Sequence, residues 1–186
     1  MKKTVFALSL IGLCSLLTSI ASAETDITLS GDTFYLSCPR ELQGKAQWSA
    51  TENAAELTCQ LKPGRANWAY LNVKVPAGVI PAEAKSIQIK MQLVIPDNMT
   101  LSVAMEENGF SYELTGLKVE SGEWGTLTLP LDKFQAAAWN RKADDNNKLD
   151  PDQCRTILIG IAGTPAAAAA DKMNARILIK KITFLP

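Results

Sequence analysis

The chain contains no histidine. That removes the side chain most used as a general base near neutral pH, the centre of a catalytic triad and the usual imidazole ligand for zinc. An excess of charge is missing as well, since 19 basic side chains balance 19 acidic ones. With no basic run and no basic amphipathic helix, nucleic acid and anionic lipid are poor candidates for the main partner. Cysteine is sparse, four in the whole chain, and none sits in a Cys-x-x-Cys pair. A thiolate zinc site therefore has no support.

The first residues carry a different message. Met1-Lys2-Lys3-Thr4 precedes a mostly apolar stretch from Val5 to about Ile20, and Ala21-Ser22-Ala23 stands before the polar Glu24. A basic start, a short apolar middle and a small-x-small end make a secretory signal. Residues 1–23 are therefore expected to be removed, with no membrane insertion afterwards and a periplasmic or secreted product. Leu13 before Cys14 argues against lipidation, because a small residue normally precedes a lipidated cysteine. Residues 24–186 are enough for one domain with a full core. Loss of Lys2 and Lys3 leaves this part slightly acidic.

Cys38, Cys59 and Cys154 remain after cleavage, and an odd number leaves one unpaired or paired elsewhere. Cys38 and Cys59 lie on two early strand-like segments and are the preferred bridge, closing a loop of about 20 residues for about 3 kcal/mol. Sequence alone leaves the pairing open.

Alternating segments recur between Pro, Gly, Asn and Asp clusters: 33–37, 55–61, 68–75, 86–95, 100–106, 111–115, 117–119, 125–129, 156–162 and 176–184. Their period is two, and only 81–85 and 131–139 suit short helical turns. About ten short strands in one domain predict an all-β, two-sheet antiparallel β-sandwich of the jelly-roll kind. In Ile87-Gln88-Ile89-Lys90-Met91-Gln92-Leu93 the odd positions are apolar and the even ones polar, so each sheet buries one face only. Residues 140–152 read as a solvated loop, and 164–171, with five consecutive alanines, as a hairpin connection.

Asn67 to Val75 has two unlike faces. Ala69, Leu71, Val73 and Val75 point one way and form a core face; Trp68, Tyr70, Asn72 and Lys74 point the other. Aromatic rings stack on the C–H face of a sugar ring while amides and ammonium groups take its hydroxyls. Trp68, Tyr70 and Asn72 are therefore candidate ligand-binding residues, with Gln88 and Lys90 assisting if their strand lies alongside. Packing beneath a loop is the competing role for the two aromatics, and a plain solvated face the competing role for Gln88, Lys90 and Gln92. Trp139, between Phe134 and the charged stretch, is expected to close an edge of the core, with a place at the sandwich rim near a ligand as the competing role. Glu106, Glu107 and Glu113 are close in sequence, as a glycosidase pair must be in space, but nothing around them suggests a cleft, and they read as solvated charge. Asp144, Asp145, Asn146, Asp150 and Asp152 have the composition of a calcium loop, yet lack its turn glycine and closing glutamate.

The second half adds an ordered set of landmarks: Trp124-Gly-Thr-Leu-Thr-Leu-Pro-Leu131-Asp-Lys-Phe134, then Leu149-Asp150, Ile157-Leu-Ile-Gly-Ile161 and a closing Ile177-Leu-Ile-Lys-Lys-Ile-Thr-Phe184. This order resembles the galactose-binding-domain-like jelly rolls, in particular glucan-type carbohydrate-binding modules and complex-I-intermediate-associated domains. The resemblance is good over about the last third of the chain. It implies a core position for Trp124, a non-catalytic module that binds an oligo- or polysaccharide on the outer face of one sheet, and no cofactor beyond a structural calcium near the N-terminal strands. Lys180 and Lys181 stand where such modules usually carry Asp. A periplasmic protein–protein interaction or assembly factor using the same face is the alternative.

Overall fold

A computed structural model describes residues 23–141, 144–166 and 173–186; the expected secretory signal, apart from Ala23, and the alanine run from Ala167 lie outside the described residues. Twelve strands are present among them: β1 (Thr25–Ile27), β2 (Phe34–Ser37), β3 (Gln43–Ser49), β4 (Ala54–Gln60), β5 (Asn67–Lys74), β6 (Ser86–Val94), β7 (Met99–Glu107), β8 (Phe110–Leu117), β9 (Trp124–Pro130), β10 (Gln135–Ala136), β11 (Cys154–Gly163) and β12 (Asn174–Leu185). Two short 3-10 turns, Leu131–Lys133 and Pro151–Gln153, interrupt them. The strands form two sheets. One runs β3-β4-β12-β6-β9 with β1 added alongside β12, and the other runs β10-β8-β7-β11-β5-β2. Every named strand pair is antiparallel. The expected all-β, two-sheet antiparallel jelly roll is the observed architecture.

Alternation builds the core. Ala69, Leu71 and Val73 of β5, Ile157, Ile159 and Ile161 of β11, and Leu101, Val103 and Met105 of β7 turn inward from one sheet. Ile87, Ile89, Met91 and Leu93 of β6 meet them from the other, with Leu57 of β4 and Ile177, Ile179, Ile182 and Phe184 of β12. Burying each such side chain contributes roughly 1.5–3 kcal/mol, so a one-residue slip in any central strand would be ruinous. The one break in β12 is a bulge between Ile179 and Lys181. It lets Ile179 and Ile182 share the inner face although they are three residues apart.

That bulge gives the two lysines separate tasks. Lys180 sets its ammonium 4.0 Å from the centroid of Trp124, and Lys181 lies 3.0 Å from the Asp26 carboxylate. Trp124 is thereby corrected from a core position: it pairs with Gln92 on the outer face of its sheet and is only partly buried. The expected Cys38–Cys59 bridge is not formed, and Cys38, Cys59 and Cys154 are free thiols. Cys38 stands just past the end of β2, in the opposite sheet from β4. Its sulfur rests 3.5 Å from where Gly44 would carry a Cβ, and Gly44 is the cross-strand partner of Cys59. The two are neighbours without being bonded.

The 144–152 part of the acidic loop is tied down rather than free. Tyr112 donates its hydroxyl to Asp144 at 2.7 Å, and Glu107 accepts the Asp150 N–H at 2.7 Å. Glu107 is not solvated charge, being 3% exposed. Burial pushes its carboxyl up to about 7, and the negative charges of Asp150, Asp144 and Asp152 add to the effect, against the help of the Asp150 N–H. An unfolded glutamate releases its proton near 4.5. The folded state holds that proton longer, so its stabilising effect is complete below about pH 4.5 and lost as pH rises through about 7. With no histidine in the chain, few other side chains titrate in this range. The melting midpoint is therefore expected to fall between pH 5.5 and 8, and Glu107→Gln to flatten that slope. A variant that keeps the wild-type slope would refute this assignment.

Candidate functional site

The outer face of the sheet containing β5 is shaped by a contrast in side-chain size. β5 places Trp68, Tyr70 and Asn72 outward, while its neighbour β11 places Ala162, Gly160 and Leu158 opposite them, in register. β7 continues the rows with Thr100, Ser102 and Ala104. Large rings beside small neighbours leave a trough between strands.

Tyr70 fills the bottom of it. A Cβ built on Gly160 would stand 2.5 Å from the Tyr70 ring and 2.2 Å from the Ala69 carbonyl oxygen, so the ring lies down over a position only glycine can occupy. Burial pushes the Tyr70 phenol up; the nearby Ser102 hydroxyl lowers it and the Glu113 carboxylate raises it. Tyr70 is 7% exposed, whereas Trp68 is 41% exposed. The expected pair thus divides into a floor and a wall.

The second wall is Trp139. It is 47% exposed, and its ring centroid lies 6.3 Å from that of Tyr70, tilted by 55°. Trp68 lies 6.1 Å from Tyr70, tilted by 39°. Together with Ser37, Leu158 and Ala162 these rings line a groove of about 540 Å³. Trp139 does not close a core edge, and nothing in its local sequence sets it apart from an exposed loop residue. The available signal was the row of small residues on β7 and β11, which a ring from elsewhere could overhang.

The other expected site residues separate. Asn72 is buried and donates to the carbonyls of Tyr35 at 3.3 Å and Tyr70 at 3.1 Å, so its amide ties β2 to β5 instead of facing a ligand. Gln88 and Lys90 lie on β6, in the opposite sheet, with Gln88 donating to Thr128 at 3.3 Å. They do not join Trp68. Glu113, paired with Ala104, shares the outer face of the grooved sheet and is half-buried. Burial raises its carboxyl, and the Ala138 N–H that it accepts opposes the shift.

A second hollow, of about 570 Å³, opens at the end of the sandwich beside Lys85, Leu131, Asp132 and Lys148. Its rings, Tyr112 and Phe134, are buried in the core and present no free face. Among the described residues no three His, Cys, Asp or Glu side chains converge as metal ligands. Asp144 accepts from Tyr112 and Asp150 from Asn146, so these two carboxylates of the acidic loop are engaged in internal bonds.

No protein-family profile matches the sequence, and no curated protein is similar to it by sequence. Solved structures do match. A family 11 carbohydrate-binding module from Clostridium thermocellum, in complex with a β-1,3-1,4-mixed-linked tetrasaccharide, superposes with a TM-score of 0.65 at 15% identity, covering 88% of this chain and 97% of that one. The likeness is one of fold, a jelly-roll β-sandwich. The family 11 module of the cellulosomal cellulase Lic26A-Cel5E from the same organism gives 0.60 at 14% identity over 88% and 96%. A β-1,2-glucanase from Parabacteroides distasonis gives 0.52 at 16% identity, and there the match covers 83% of this chain but only 23% of the enzyme.

Two substitutions test the floor. Ser102 Oγ is fully buried without a partner in hydrogen-bonding geometry. Ser102→Ala should therefore stabilise the fold by about 1 kcal/mol, whereas Gly160→Ala should cost about 3 kcal/mol by overpacking. Urea denaturation measures both, and a harmless Gly160→Ala would contradict the placement of Tyr70.

Proposed function

We propose that the protein is an exported, non-catalytic module that binds a glycan chain in the groove between Trp68 and Trp139, with Tyr70 as its floor. One observation carries this reading: two exposed indoles flank a concave strip on the sheet of a carbohydrate-binding-module fold. Indole faces match the C–H faces of pyranose rings, and Ser37 at the rim offers a hydroxyl. Among the described residues that line the groove none is charged, which favours a neutral sugar over a uronate and offers no group for general acid–base chemistry. The related modules supply the ligand class by analogy of fold, and the groove supplies the contacts. Export rests on residues 1–23. In an oxidising compartment the neighbouring thiols of Cys38 and Cys59 are the pair a disulfide donor would join, tying β2 to β4. The alternative, a protein partner, draws on the same carbon-rich lining.

Affinity electrophoresis in gels containing mixed-linkage β-glucan, backed by a glycan array, tests the site. Trp68→Ala and Trp139→Ala should each weaken retention about tenfold, and Gln88→Ala or Lys90→Ala should change nothing. Retention that survives the double tryptophan variant would overturn the assignment, and a blank array on folded protein would favour the protein partner. Thiol alkylation of the exported protein should leave Cys154 as the one modifiable cysteine after denaturation; three reactive thiols would contradict the bridge.

A further inference from the structure

Trp139 reaches the groove on an arm whose tethers are few and specific. Phe134 anchors the start of the arm in the core. β10 then pairs Gln135 with Glu113 and Ala136 with Tyr112, and the Ala137 N–H donates to the Ser111 carbonyl at 2.9 Å. Backbone pairing ends there. Three residues later the side chain of Asn140 resumes it: Oδ1 accepts the Ser111 N–H at 2.9 Å, and Nδ2 donates to the Ser111 carbonyl at 2.7 Å. A primary amide offers a donor and an acceptor side by side, so it substitutes for the next strand residue in the ladder. The Asn140 N–H closes the turn on the Ala137 carbonyl at 3.1 Å, and Glu113 accepts the Ala138 N–H at 3.4 Å from beneath. Trp139 sits between these tethers.

The indole itself cannot fix this pose, being 47% exposed and 6.3 Å, centroid to centroid, from the Tyr70 ring. Its direction is set by the backbone on both sides, and that backbone is set by Asn140 and Glu113. We propose that Asn140, assisted by Glu113, is a positioning residue for ligand binding, holding Trp139 across the groove so that its face is in place before a ligand arrives. This rests on the glycan-binding reading of the groove. A wall ordered in advance spares the ligand the entropy of ordering it, which is how a residue without ligand contact affects affinity.

Four variants separate this role from simple support of the fold. Asn140→Ala removes both bonds to Ser111, and Asn140→Asp keeps the acceptor but loses the donor. Glu113→Ala removes the acceptor under Ala138, while Glu113→Gln retains one. Retention on mixed-linkage β-glucan should weaken about tenfold for Asn140→Ala, less for Asn140→Asp, about threefold for Glu113→Ala and not measurably for Glu113→Gln. The second readout needs no sugar. Protein labelled with 5-fluorotryptophan has four indoles, so its fluorine spectrum should show four lines, and Trp139→Phe assigns the one of interest. Asn140→Ala should shift and sharpen the Trp139 line while those of Trp48 and Trp124 stay fixed, reporting an intact fold. An unmoved Trp139 line overturns the proposal whether or not any glycan binds. A moved line with unchanged retention overturns it too, by reducing Asn140 to a loop clamp. A wild-type protein that retains no glycan, in the presence of a moved line, refutes the glycan reading and leaves the arm's tether established.

Discussion

Tyr70 lying flat over Gly160 is the contact from which the outer face of the grooved sheet takes its form. An upright tyrosine would divide the trough between Trp68 and Trp139; a side chain at position 160 would force it upright, against the Ala69 carbonyl 2.2 Å from the would-be Cβ. With the ring down, one face of β5 supplies the core through Ala69, Leu71 and Val73, and the other supplies a floor. The sandwich can spare that face because the opposite sheet covers the inner one. Neither sheet needs helices, and neither has to bury both sides.

The groove and the core draw on similar side chains for different ends. Core rings such as Phe134 and Phe184 are out of solvent and contribute to stability. Trp68 and Trp139 keep nearly half their surface in water, and large indoles so exposed, around a concave strip, form an apolar patch that a monomer gains nothing by keeping. The buried hydroxyl of Ser102 adds to that cost. Such departures from a fully satisfied structure tend to gather where a protein meets a ligand.

Much of the fold was legible in residue order. β5, β6, β7, β11 and β12 have strong alternation, and their apolar faces could be assigned residue by residue. β3, Gln-Gly-Lys-Ala-Gln-Trp-Ser, has little alternation because an edge strand buries one weak face. β1 and β10 are too short to carry a pattern. β8 reads as two segments because Gly116, with φ 70°, takes a left-handed turn inside one strand. The site was half legible. Which residues of β5 face outward follows from period two, but which strands flank it depends on pairings as distant in sequence as Tyr70 with Gly160. That is why Gln88 and Lys90, correctly read as outward, lie on the other sheet. It is also why Asn72 faces outward yet is spent on Tyr35 and Tyr70 carbonyls. Trp139 could not be read locally, since its place is set by an amide bonding to Ser111.

The central claim is that ligands meet this protein between Trp68 and Trp139. Its four tryptophans are built-in reporters: two line the groove, while Trp48 on β3 and Trp124 on β9 belong to the opposite sheet. A titration with a mixed-linkage β-glucan oligosaccharide, followed through the four indole N–H signals in a nitrogen–proton correlation spectrum, addresses the claim directly. The account predicts that the Trp68 and Trp139 signals move together and saturate at one concentration, with Trp48 and Trp124 unmoved. Movement of Trp124 or Trp48 with the groove pair silent would contradict it.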